Sequence, residues 1–144
     1  MEMLSLMGIL GFFSIEDIKE RRIGIIPLLL AAIFGLILHL CYERLSIWNL
    51  LGGGAIGLLM YALSIASKER IGKGDALLLA VTGIFLGFWD NLILIWLASI
   101  VAAVVGILYM LFLKKGKNEE LPFVPCVFFG FVIYRILQNV GGAA

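Results

Sequence analysis

Residues 92–113 read LILIWLASIVAAVVGILYMLFL, 22 residues without a charge, followed at once by Lys114, Lys115 and Lys117. A run of that length closed by a basic cluster is what a transmembrane helix requires, since about 20 residues rising about 1.5 Å each cross a hydrocarbon core of roughly 30 Å. The rest of the chain repeats the pattern. Apolar runs fall at Met3–Ile15, Ile23–Tyr42, Ile47–Ala66, Ala76–Trp89, Leu92–Leu113 and Pro122–Val140, each bounded by charge or by Asp and Asn. Six helices are predicted. The first and fourth are short, at 13 and 14 residues, so their charged ends are expected to continue as helix into the polar edge of the bilayer. The fold class is all-α, a polytopic membrane protein of six transmembrane helices forming one domain over residues 1–144.

Composition excludes several other classes. With 62% hydrophobic residues, 15% charged and a mean hydropathy of +1.11, no soluble domain fits beside the spans. A net charge of +1 supplies no basic stripe for a nucleic-acid partner. Cys41 and Cys126 form no Cys-x-x-Cys pair and the chain has a single histidine, His39, so neither a zinc site nor any other metal or cofactor is expected. The two cysteines are assigned to opposite ends of the bundle, too far apart for a disulfide, and His39 to the outer end of helix two. The N-terminus turns apolar within three residues, without a basic n-region or small-residue cleavage site, and reads as the first span, with the mature protein starting near Met1.

Charge sets orientation. Lys19, Arg21 and Arg22, then Lys68, Arg70 and Lys73, then Lys114, Lys115 and Lys117 account for nine of the eleven basic residues, leaving Arg44 and Arg135 for the opposite side. The positive-inside rule makes the three basic loops cytosolic and puts both termini outside. Tyr42, Trp48 and Trp89 then fall at the outer interface, where amphipathic rings are enriched, and Asp90–Asn91 becomes an outer connection. Arg135, inside an apolar helix, is expected to snorkel outward or to pair with Asp90. Gly53-x-x-x-Gly57 and Gly83-x-x-x-Gly87 each set two small residues on one face and predict close packing of helices three and four; the run Gly52-Gly53-Gly54 is alternatively a point of flexibility.

Two carboxylates stand against the apolar runs. Glu16-Asp17-Ile18-Lys19 follows the first, and Ile71-Gly72-Lys73-Gly74-Asp75 precedes the fourth. Between Asp17 and Asp75 the chain crosses outward and returns, so both lie at the same level. Two carboxylates in one apolar site cannot both ionise cheaply; one pKa rises, a proton is shared, and the pair can activate water for attack on an amide. Gly72 and Gly74 can take positive φ and let a substrate backbone approach Asp75. An equal alternative is a plain turn with Asp75 as the N-cap of helix four. A small transporter binding protons or cations at the same aspartates, or a purely structural assembly subunit, is also compatible with intramembrane carboxylates.

Three features together resemble the type IV prepilin peptidases, intramembrane aspartyl proteases marked by Gly-x-Gly-Asp and distantly similar to presenilin and signal peptide peptidase. These are Asp17 with the basic stretch and Ile23 after it, Gly72-Lys73-Gly74-Asp75 about sixty residues later, and Leu121-Pro122-Phe123-Val124-Pro125 opening the last helix, which resembles the family's Pro-Phe-x-Pro element. The resemblance extends over nearly the whole chain and implies Asp17 and Asp75 as the catalytic pair, with Gly72, Gly74, Pro122, Phe123 and Pro125 shaping the substrate site. It implies a substrate as well, the short basic leader of a pilin-like precursor, cut at the cytosolic face of the cell membrane. Glu16, Glu20, Glu69, Glu119 and Glu120 are available to attract such a leader. Two departures are visible: Ile23 is followed by Gly24 and Ile25 where the family commonly has Ile-Pro-Asn, and the cysteine-rich zinc insertion associated with N-methylation has no counterpart. The likeness is to the short, peptidase-only members.

Overall fold

The computed structural model describes residues 2–42, 46–66, 72–113 and 122–141, and every element in them is a helix: α1 (Glu2–Glu20), α2 (Ile25–Tyr42), α3 (Ile47–Ala66), α4 (Lys73–Leu86), α5 (Phe88–Leu113) and α6 (Val124–Gly141). Lys68, Arg70, Lys114, Lys115, Lys117, Arg44, Leu121, Glu69, Glu119, Glu120 and the side chain of Tyr42 lie outside the described residues. Helices α3, α5 as far as Phe112, and α6 are long and apolar enough to cross a membrane, and α2 is a shorter apolar helix. Trp96, Leu111 and Phe112 of α5 all turn outward, each at least 70% exposed. Apolar surface of this extent is stable only against an apolar solvent, at about 25 cal/mol for each Å² kept from water, so the chain is a membrane-embedded protein.

The most extensive helix pair is α3 with α4, and its cause is the absence of side chains. A Cβ on Gly53 would lie 2.2 Å from the carbonyl oxygen of Gly83, and one on Gly57 would lie 2.2 Å from the Cα of Ala80. The backbones therefore touch, as the small-residue spacing predicts, and α3 runs unbroken through Gly52-Gly53-Gly54. On the other side of α4 the ring of Phe85 fills the notch left by Gly35 of α2. Leu6, Leu10 and Phe13 of α1, Leu78 and Leu86 of α4, Leu94 of α5 and Phe131 of α6 are fully buried or nearly so, and they place the core among α1, α4, α5 and α6.

The junction of α4 and α5 differs from the sequence reading. Helix α4 ends at Leu86, Gly87 alone forms the turn with φ 80° and ψ −172°, and α5 begins at Phe88. That conformation is essentially restricted to glycine, and the Asn49 side chain presses against it while its Oδ1 accepts the Phe88 N–H at 2.7 Å. Trp89 and Asp90 thus belong to the first turn of α5. Asn91 forms no connection: it is fully buried, accepts from the Thr82 hydroxyl at 2.8 Å and donates to the Leu79 carbonyl at 3.1 Å. Hydropathy missed this because a buried amide satisfied by its own hairpin looks, in sequence, like a polar loop. Of the two alternatives for Arg135, the pairing with Asp90 is not formed: Arg135 donates to Gln138 Oε1 at 3.2 Å in an exposed contact, and Asp90 interacts with the Tyr134 hydroxyl instead.

The α3–α4 contact yields a test. Gly57→Leu is expected to lower the thermal unfolding temperature in detergent, because overpacking of this kind costs about 1–3 kcal/mol. Gly54→Ala, where nothing lies within 4 Å of a Cβ, should leave it unchanged or raise it; equal melts for the two variants would contradict the backbone contact.

Candidate active site

The buried stripe of α1 runs Leu6, Leu10, Phe13, Asp17, spaced by four, three and four residues, which is one helical face. Asp17 thus stands where that apolar face reaches its end, two residues past the stretch Met3–Ile15, and is 7% exposed. It is helical, not in a loop, because Glu16 to Glu20 hold no breaker. The helix stops at Arg21, which takes a left-handed φ of 51° and closes the last turn by donating its N–H to the Asp17 carbonyl at 3.0 Å. Glycine is the usual residue there.

Asp75 immediately precedes the apolar stretch beginning at Ala76. The N-cap of α4 is Gly72, so Asp75 occupies the third helical position and is not the cap. Nor do the motif glycines serve through positive φ, since Gly72 has φ −59° and Gly74 is helical. Their role is close approach: a Cβ on Gly72 would lie 2.6 Å from Asp75 Oδ2, and one on Gly74 would lie 3.1 Å from Ile23 Cβ. Gly72 leaves room for the carboxylate itself. Gly74 lets the turn before α2 close over the start of α4.

Pro122 precedes α6 and Pro125 falls in its first turn, where a missing N–H is no loss, so neither interrupts the helix. Between two residues without N–H groups stand Phe123 and Val124, which have them. The Val124 N–H donates to Asp17 Oδ2 at 3.1 Å, and the Phe123 N–H also bonds this carboxylate.

These environments separate the two acids. Burial raises the Asp17 carboxyl above its ordinary range, and the two backbone donors pull against that rise. Asp75 has no such donors; burial first, and the charge of Asp17 second, push it up to about 7. One carboxylate is equipped to be an anion and the other to hold a proton near neutrality. Chemically this is a base beside an acid.

Both aspartates line one cavity of about 610 Å³, together with Gly72, Gly74, Pro122 and Phe123; Pro125 alone of the expected residues does not line it. Arg21, Arg22, Lys73 and Tyr61 also line it, and the sequence reading had assigned the basic three to topology. Tyr61 carried a usable signal, since it lies four residues beyond Gly57 and so extends the α3 face that meets α4 toward the start of that helix. The Val124 donor carried none, because any residue there supplies the same N–H.

The sequence profile of the type IV leader peptidase family matches residues 4–114. That stretch contains both aspartates and the glycine motif but stops before Pro122, so the Pro-Phe-x-Pro element lies outside it. No curated protein sequence and no solved structure matches the chain. With the match covering most of its length, the chain belongs to the type IV leader peptidase family and is a membrane-embedded peptidase.

Proposed function

We propose that this protein is an aspartyl endopeptidase that removes the short leader of a type IV pilin-like precursor at the cytosolic face of the cell membrane, with Asp17 and Asp75 as its catalytic pair. The observation that carries the reading is the shared cavity of the two carboxylates in a chain of this family. In the reaction Asp17, ionised, takes a proton from a water molecule as its oxygen bonds to the scissile carbonyl carbon. Asp75 gives its proton to the carbonyl oxygen, forming a neutral gem-diol and avoiding a bare oxyanion. Collapse breaks the C–N bond, and the proton held by Asp17 leaves with the amine while Asp75 recovers its own from the diol hydroxyl. The pair ends as it began.

Six crossings by one domain, residues 1–144, with both termini outside, fit the nine-to-two division of basic residues and put the cavity at the cytosolic end. Gly72, Gly74, Pro122, Phe123 and Pro125 shape this end in the proposal, Pro125 by starting α6. A transporter would need polar groups continuing toward the opposite face, yet Thr82 and Asn91 bond one another and Ser99 bonds the Ile95 carbonyl in its own helix. A structural subunit would need neither aspartate.

Asp17→Asn and Asp75→Asn are each expected to cut precursor processing, read as a mobility shift on co-expression, by about 10²–10⁴-fold. Because the two act as one unit, the double variant should be scarcely worse than either single. Insertion and thermal stability should be preserved. Normal processing by a well-inserted Asn variant would overturn the assignment.

A further inference from the structure

A second cavity, an apolar groove of about 500 Å³, opens between α1 and α2, bounded by Ser5, Gly8 and Phe12 on one helix and by Pro27 and Phe34 on the other. Positions 5, 8 and 12 follow one face of α1, and the next residue on that face is Glu16. Glu16 Oε2 is buried and has no hydrogen-bond partner among the described residues. Its Oε1 lies 3.0 Å from where a Cβ on Gly24 would stand, and Pro27 abuts the same glycine. The groove thus follows α1 from Ser5 to Phe13, and Glu16, one turn beyond Phe12 on the same face and beside Pro27 at Gly24, stands just past its end with Oε2 unpartnered among the described residues.

We propose that this groove is the docking site for the apolar helix of the substrate, with Glu16 receiving a cationic group where the leader meets that helix. The inference rests on the reading of Asp17 and Asp75 as the catalytic pair. Burying a carboxylate oxygen without a partner costs free energy that a cation recovers. A phospholipid acyl chain would match the apolar walls, but its phosphate would bring a second anion to Glu16. An apolar helix preceded by Lys or Arg matches both features.

Gly8 provides the probe, because nothing lies within 4 Å of a Cβ there and a larger group enters the groove without displacing the protein. With Gly8 replaced by p-benzoylphenylalanine in the Asp17→Asn, Asp75→Asn chain, irradiation of membranes co-expressing a pilin-like precursor should give a covalent adduct of peptidase and precursor. The same replacement at Gly54, also open, should give none. In the chain with its aspartates intact, Glu16→Gln should raise KM about tenfold with kcat unchanged, and only for precursors basic at the leader–helix junction. An adduct at position 8 with lipid alone or with a second copy of this chain, or no adduct, overturns the docking site even if the unmodified protein cleaves. Absence of cleavage by the unmodified protein is instead the failure of the peptidase reading itself.

Discussion

An apolar bundle can hold a carboxylate only where spare hydrogen-bond donors exist, and the interior of a helix has none. Spare donors occur at helix N-termini, which is why the Val124 N–H to Asp17 contact organises the site. It joins the last turn of α1 to the first turn of α6 across 107 residues of chain. Pro122 and Pro125 sharpen it, since the N–H groups of Phe123 and Val124, unused by the helix, stand between two residues that have none. The acid on α1 is thereby held as an acceptor, while its partner on α4, given no donor of this kind, is pushed up to about 7 by burial and by the charge of Asp17, which suits it to the proton-carrying role proposed for it.

Placing that partner falls to the rest of the fold. Helix α4 has only 14 residues, too few to be positioned by its own length, and is gripped instead. Gly53 and Gly57 bring α3 to backbone contact along one side, and Phe85 locks into Gly35 on another. Asn49 and Asn91 clamp the turn at Gly87. With its far end fixed by these amide hydrogen bonds, worth about 1 kcal/mol each, α4 delivers Asp75 to the cavity that Asp17 also lines. Close packing, more than chemistry, explains the glycines of the motif: one gives the carboxylate room and the other admits Ile23.

Much of this was legible beforehand, for identifiable reasons. Charge-free runs mark helices because a bilayer tolerates little else, and Asp17 and Asp75 stand out because ionisable groups beside such runs are costly. Gly53 and Gly57 announce a contact by spacing alone. What stayed hidden depends on partners distant in sequence. Asn91 looks like a loop residue until Thr82 and Leu79 are seen to satisfy it, and Gly72 looks like a turn residue until Asp75 is seen lying over it. A backbone donor such as that of Val124 leaves no mark on composition, and Arg21 and Arg22, already explained by topology, gave no cause to be sought at the cavity.

The central claim is that one proton is shared between unlike carboxylates, and the dependence of kcat/KM on pH for precursor cleavage tests it most directly. With Asp75 ionising at about 7, the singly protonated pair is the active form. It is lost above that pH as the second proton leaves, and lost again in acid as Asp17 is protonated. The account expects a bell-shaped profile whose alkaline limb falls through about pH 7. A rate that climbs through neutrality to an alkaline plateau would contradict it, since no group that must stay protonated near pH 7 would then take part.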